Sequence, residues 1–267
     1  MTTTNTINAP GARLHYEVRG SGPVVLLVGS PMAAAPFAPL ADALAEDHTV
    51  ITQDPRGISG SRLDDPDEDT TVEQRADDVA AILDALRVQS AAMFGSSGGA
   101  VTGIALVTRH PGRVRTLVAH EPPLLVLLPD AAKARAEVDD VVATFHREGQ
   151  AAAFAKFMAH IGMPADERTP GPPRQATDQA TADGARFLGH DITATTRFVP
   201  DLAALVASTT RVVVGVGATS GGQLAHRTAR AFAERLGTEA IEFPGGHGGF
   251  IQEPHQFADV LRRVLAN

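Results

Sequence analysis

The sequence predicts an α/β fold: a mostly parallel, doubly wound sheet with helices on both faces and a helical insertion late in the chain. Three observations predict it. Short apolar runs alternate with stretches of helical spacing from Val24 to His120, the pattern of strands joined by crossover helices. Runs such as Val24-Val25-Leu26-Leu27-Val28 are apolar at every position, as expected of strands covered on both faces. From Leu124 to Pro200 that rhythm stops, and sheet-like patterning resumes at Arg211. The 267 residues, 43% hydrophobic and 20% charged, suffice for one large domain carrying such an insertion. The boundaries read as 1–123 and 201–267 for the sheet domain and 124–200 for a helical cap.

Composition removes several classes of function. Cysteine is absent, which excludes disulfides, thiolate metal sites and a cysteine nucleophile. The net charge is −8, there is no basic stripe, and Tyr16 is the only tyrosine in a chain without tryptophan, so nucleic acid is not an expected partner. No apolar run approaches the ~20 residues that cross a bilayer. Met1-Thr-Thr-Thr-Asn lacks the basic and apolar regions of a secretory leader, so a cytoplasmic location is expected.

Each element has its own signal. Ile7 to Arg19 alternates around Ala9-Pro10-Gly11 and predicts a hairpin. Strands follow at Val24–Val28 and Thr49–Gln53, with a helix near Phe37–Ala45 between them. Asp64–Asp69 is acidic and reads as a solvated loop. Thr71 and Gln74 form a capping box for a helix whose apolar face is Val72, Ala76, Val79, Ile82, Leu83 and Leu86. A strand at Ala91–Phe94, a helix at Ala100–Arg109 and a strand at Val114–His120 complete the first half. In the insertion, Val138, Val141, Val142 and Phe145 fit one amphipathic helix, and Phe154, Phe157, Met158 and Ile161 fit a second. Pro164–Arg174 is a proline-rich connector, and Phe187, Leu188 and Ile192 mark a further helix. A strand at Arg211–Gly217, a helix at Gln223–Leu236, a strand at Glu239–Phe243, a glycine loop at Pro244–Phe250 and a last helix with Phe257, Val260, Leu261 and Val264 close the chain.

The chemistry centres on Gly95-Ser96-Ser97-Gly98-Gly99, a G-x-S-x-G sequence between a strand and a helix. A strand that reverses into a helix over so few residues forces Ser97 into strained backbone and requires near-absent side chains two positions either side. The turn lifts the Ser97 hydroxyl beside a helix start, where the Gly98 N–H and the helix dipole face a developing oxyanion.

Together with Asp54-Pro55-Arg56-Gly57-Ile58-Ser59-Gly60-Ser61, Val28-Gly29-Ser30-Pro31 and Pro244-Gly245-Gly246-His247-Gly248-Gly249-Phe250, this elbow resembles the motif set of the α/β-hydrolase fold family over nearly the full chain. The resemblance implies a serine hydrolase with Ser97 as nucleophile and backbone N–H groups of Ser30 and Gly98 as the oxyanion hole. Val28 stands where the family often has His, which leaves the donor but removes a side chain that orders the loop. Gly57, Gly60 and Arg56 read as structural. His247 is the candidate base: it follows a strand, sits among four glycines and comes after the insertion, in the order serine, acid, histidine. His110 suits a helix end, and the remaining histidines show no partner pattern.

The acid departs from the common pattern. The family usually places Asp in the loop after the strand corresponding to Arg211–Gly217, and Ser220 stands there instead. Glu121, directly after Val114–His120, is the carboxylate at the neighbouring strand end and the expected acid, as in some family members. Asp201, Asp191 and Asp54 are weaker alternatives, and Ser220 is expected to be a bystander. Met32, Phe145, Phe154, Phe157, Met158 and Phe187 are candidates to line the substrate site.

The resemblance implies hydrolysis of an ester, thioester or lactone of a small to medium apolar substrate through an acyl-enzyme, with no cofactor and no metal. Carbon–carbon bond hydrolysis or perhydrolysis on the same triad, and a ligand-binding pseudo-hydrolase, stay open. A serine nucleophile argues against haloalkane dehalogenase and epoxide hydrolase chemistry, which use Asp there. The expected partner is a small molecule, with neither nucleic acid nor membrane, and a homodimer is left open.

Overall fold

The computed structural model describes residues 2–162 and 177–266. The chain enters through a hairpin of β1 (Thr2–Ala9) and β2 (Ala12–Gly20), turned at Pro10-Gly11 with Gly11 at φ 73°. The first strand starts at Thr2 rather than near Ile7, because its whole length pairs with β2, Thr2 opposite Arg19. The strands β3 (Val24–Val28), β4 (Thr49–Gln53), β6 (Ala91–Ser96), β7 (Val114–His120), β8 (Arg211–Gly217) and β9 (Ile241–Phe243) then run parallel to one another. The sheet order is β1-β2-β4-β3-β6-β7-β8-β9, and a two-residue strand, β5 (Arg62–Leu63), pairs with β2.

The all-apolar strands divide by alternate residues between two cores, because side chains of a strand point to opposite faces. Leu26, Met93 and Leu117 face α2 (Val72–Ala85), α3 (Gly98–Arg109) and α9 (Leu224–Arg235), which supply Val79, Ile104 and Phe232. Leu27, Phe94 and Val118 face α1 (Ala38–Leu44) and α11 (Pro254–Ala266), which supply Leu40, Leu44, Phe257 and Leu261. The capping box is present: the Thr71 side chain accepts from Gln74 N, and Thr71 N donates to Gln74 Oε1 at 2.8 Å. Arg56 is structural, donating two hydrogen bonds of 2.7 and 2.5 Å to buried Asp78 on α2.

Between β7 and β8 the described residues are mostly helical. The elements are α4 (Ala131–Glu148), α5 (Gln150–Ile161), α6 (Asp178–Arg186), a π-helical turn (Phe187–Asp191) and α7 (Ile192–Arg197), followed by α8 (Leu202–Ala207). The proline-rich stretch Pro164–Arg174 lies outside the described residues. This segment has a core of its own, in which Val138, Val141, Ala153, Phe187, Leu188 and Ile192 meet Leu125 and Leu224. The acidic loop 64–69 is exposed as expected, but its backbone is not free. Arg186 donates to Pro66 O at 2.9 Å and to the Thr70 hydroxyl at 2.6 Å, which ties the helical segment to the sheet domain. The glycine loop after β9 is shorter than its sequence suggests, because Gly249–Gln252 already forms a helical turn, α10. Among the described residues, no helix is long and apolar enough to cross a membrane.

Candidate active site

Ser97 sits between β6 and α3 at φ 55°, ψ −122°, a region that costs a residue with a Cβ of order 1–3 kcal/mol. The flanking glycines make the turn fit. A Cβ on Gly95 would lie 2.6 Å from the Gly99 carbonyl oxygen, and one on Gly99 would overlap the Val28 carbonyl. A Cβ on Gly98 would lie 2.5 Å from the Ser30 carbonyl oxygen, so α3 begins in direct contact with the loop after β3.

Glu121 is wholly buried, and it too stands in left-handed backbone, at φ 49°. Its N–H still bonds to Gly215 O at 3.0 Å, so the kink falls at the strand end. The carboxylate accepts from three donors. Oε2 meets His247 Nδ1 at 2.6 Å, while Oε1 takes the Gly217 N–H at 3.0 Å and the hydroxyl of buried Ser220. Burial alone would push the carboxyl up, but the His247 hydrogen bond and charge, His120 and the Ser220 hydroxyl outweigh it, bringing the pKa down to about 2. Ser220 is therefore no bystander; it fills the usual acid position with a donor that serves the carboxylate next door. Asp54 is committed elsewhere, accepting from Ala34 N at 2.8 Å and Gly60 N at 2.9 Å. Asp201 caps α8, accepting from Ala204 N at 2.9 Å, and buried Asp191 faces Arg186 at 3.8 Å.

The His247 loop reaches Glu121 because glycines let backbones meet: a Cβ on Gly217 would lie 2.6 Å from the Gly246 carbonyl. Beneath the loop, aromatic rings hold it, with Phe250 stacked on Phe37 at 4.9 Å and Phe243 on Phe257 at 4.7 Å. His120 lies in the same cluster with neither ring nitrogen bonded, and burial lowers its pKa to about 4.

Ser97 and His247 line one cavity of about 880 Å³, together with Ser30, Gly98 and Met32 from the sheet domain. Phe154, Phe157, Met158 and Phe187 line it from the helical segment. Phe145 does not. Its position on α4 turns it to the π-helical turn, where a Cβ on Gly189 would lie 3.2 Å from its ring. Lining residues absent from the expectation include Val138, Thr195, Leu224 and Ile251. Several histidines without a sequence pattern have partners in space, among them His15 with Asp54 at 3.0 Å, His160 with Glu137 at 2.8 Å and His190 with Asp69 at 2.8 Å.

The loop after β3 that carries Ser30 has a support with no counterpart among the residues expected from the sequence. Arg75 on α2 is 2% exposed, and donates to Ser30 Oγ at 2.7 Å and to Thr195 Oγ1 on α7 at 2.8 Å. A signal existed: Arg75 falls between Val72 and Val79 at helical spacing, on the face that is otherwise apolar.

Comparison with known proteins agrees with this architecture. The family model for the alpha/beta hydrolase fold matches residues 22–169. The uncharacterized hydrolase YraK of Bacillus subtilis (strain 168) is 34% identical over 273 residues, covering 99% of this chain and 97% of its own. The zearalenone hydrolase of Bionectria ochroleuca is 34% identical over 132 residues, 48% of this chain and 50% of its own. Among solved structures, a hydrolase from Pseudomonas aeruginosa PA01 superposes with a TM-score of 0.80 at 21% identity, covering 99% of this chain and 98% of the other. A thermophilic esterase from Thermogutta terrifontis gives a TM-score of 0.77 at 21% identity, covering 100% and 98%. The chain belongs to the α/β-hydrolase fold family and is a hydrolase of that family.

Proposed function

We propose that the chain is a serine hydrolase that cleaves carboxylic esters or lactones of bulky apolar substrates through an acyl-enzyme. The observation that carries this is the shared placement of Ser97, on its strained elbow, and His247, bonded to Glu121 at 2.6 Å, in the wall of one cavity. With His247 Nδ1 donating to Glu121, Nε2 carries the lone pair that takes the Ser97 proton as the hydroxyl oxygen attacks the substrate carbonyl. Glu121 fixes that tautomer and balances the imidazolium. The Ser30 and Gly98 N–H groups hold the oxyanion, His247 returns the proton to the leaving alcohol, and water repeats the cycle on the acyl-enzyme.

Cavity size sets the substrate range. About 880 Å³ lies near the top of the range for small-molecule sites, and the walls are mostly apolar, so bulky acyl groups fit better than acetyl esters. A relative over 48% of this chain is named a zearalenone hydrolase, which supports a hydrolytic reading. The test is labelling with a fluorophosphonate followed by peptide mass spectrometry. Wild-type protein should carry the adduct on Ser97, and Ser97→Ala should carry none while keeping its melting temperature. Wild-type protein that stays unlabelled, or is labelled on Ser96, removes the reading.

A further inference from the structure

Arg75 is a buried cation with an unusual set of partners. Guanidinium stays ionised in proteins, and an isolated charge is costly to bury, so a buried arginine normally meets a carboxylate. Among the described residues, Arg75 forms no ion pair; its two hydrogen bonds go to the hydroxyls of Ser30 and Thr195, and its Nε is buried without a partner. The carboxylate that acts most strongly on it, buried Asp191, also faces Arg186 at 3.8 Å, and its Oδ1 makes no hydrogen bond. Burial accordingly pushes the Arg75 pKa down, against the pull of Asp191, Glu73 and Asp78. Positive charge beside Ser30 is left under-compensated in the resting protein.

Ser30 is the residue whose N–H is assigned to the oxyanion hole, and its carbonyl abuts Gly98, which supplies the other N–H. We propose that Arg75 is a positioning residue of the oxyanion hole: it fixes Ser30 through the side chain and directs positive potential at the site where the oxyanion forms. An interaction with charge that exists only in the tetrahedral state lowers the barrier without tightening substrate binding. The second bond, to Thr195, sets one of the cavity walls against the same guanidinium, so the helical segment and the oxyanion loop are braced by a single side chain.

This inference rests on the serine hydrolase reading, and the experiment separates the two. Two ligands are compared: octylboronic acid, which adds to an active-site serine as a tetrahedral anion, and octanamide, which is neutral. Arg75→Gln keeps a donor for Ser30 and removes the charge; Arg75→Lys keeps the charge. For Arg75→Gln, boronate affinity and kcat on an octanoate ester should both fall about 10- to 100-fold, with octanamide affinity and KM unchanged within about twofold. Arg75→Lys should recover most of the boronate affinity. Activity is normalised to fluorophosphonate-titrated sites, so a folding loss does not imitate the effect. Equal weakening of both ligands, or of neither, in Arg75→Gln overturns the role of Arg75 while leaving the serine hydrolase reading intact. Wild-type protein that binds no boronate and takes no fluorophosphonate overturns both.

Discussion

β7 and β8 lie side by side, with His120 opposite Gly215, yet the chain continues differently from each. After β7 it presents a carboxylate, Glu121, from left-handed backbone; after β8 it presents a hydroxyl, Ser220, from a turn closed by Ser220 N on Gly217 O at 3.3 Å. The two side chains meet, Ser220 donating to Glu121. On the serine hydrolase reading His247 requires a negative oxygen at one point in space, and here the end of β7 delivers it, with Glu121 Oε2 2.6 Å from His247 Nδ1. The end that does not supply the charge supplies a donor that steadies it. A carboxylate missing from one strand end can therefore be made up from the next, as Glu121 does beside Ser220.

The sharpest way to break this comparison is Glu121→Gln. Gln keeps the shape but offers one acceptor oxygen where three donors converge, so its amide turns toward His247 or toward Gly217. Turnover should fall about 10⁴-fold with KM little changed. Steady-state kinetics decide it, and a fall of less than about tenfold would assign the acid elsewhere.

Next in size is the effect of His120, the last residue of β7. Its pKa is depressed to about 4, so the unfolded chain takes up a proton near 6.5 and the folded chain does not. Stability should therefore fall as pH drops from 6.5 to 4 by up to about 3 kcal/mol, then level off for this group. His120→Leu should flatten that slope in urea melts recorded across the window.

A third variant moves the charge. On the Glu121→Gln background, Ser220→Asp places a carboxylate at the other strand end and should restore about 10- to 100-fold of the lost turnover. In the otherwise wild-type protein the same substitution sets two carboxylates together and should lower the melting temperature. No recovery in the double variant would mean that only the end of β7 reaches His247.

An effect of similar size, on stability rather than on turnover, is expected from Ser220→Ala. It removes one hydrogen bond to a buried charge, worth about 1.5–3 kcal/mol at neutral pH. The depressed Glu121 carboxyl contributes its stability above its ordinary pKa of 4.5 and loses it as pH falls toward about 2. Without Ser220 the folded carboxyl is depressed less, so the acid loss should still begin near 4.5 but be smaller and level off at higher pH, which thermal melts between pH 5 and 2 would show.

Much of this was legible in the sequence because it depends on local rules. The all-apolar run Val24–Val28 marks β3 and the stretch Val114–His120 marks β7 residue by residue, and the capping box marks the start of α2. Ser97, Glu121 and His247 each follow a strand, so topology brings them to one edge of the sheet. What was not legible depends on contacts distant in sequence. Ser220 and Glu121 are 99 positions apart, and Arg75 and Thr195 are 120 apart. Phe145 and Phe157 carry equal sequence signals, but the rotation of their helices sends only Phe157 to the cavity. Short elements such as β5 and α10 fall below the length at which periodicity can be read.

The pairing of β7 with β8 also fixes how the helical segment is hung. Its two ends leave adjacent strands, about 4.8 Å apart, the spacing of neighbours in any sheet. The Glu121 carboxylate bonds across that gap, to the Gly217 N–H at 3.0 Å, so departure and return are fastened at the same atom pair. A segment mounted in this way can be exchanged for another of different length without pulling the strands apart. Ser97, Glu121 and His247 belong to the mount, and the mounted segment supplies Phe154, Phe157, Met158 and Phe187 to the wall of the cavity that Ser97 and His247 share. If Arg75 acts as proposed, a grafted foreign segment would end on these two adjacent strands and place a hydroxyl equivalent to that of Thr195 within reach of Arg75.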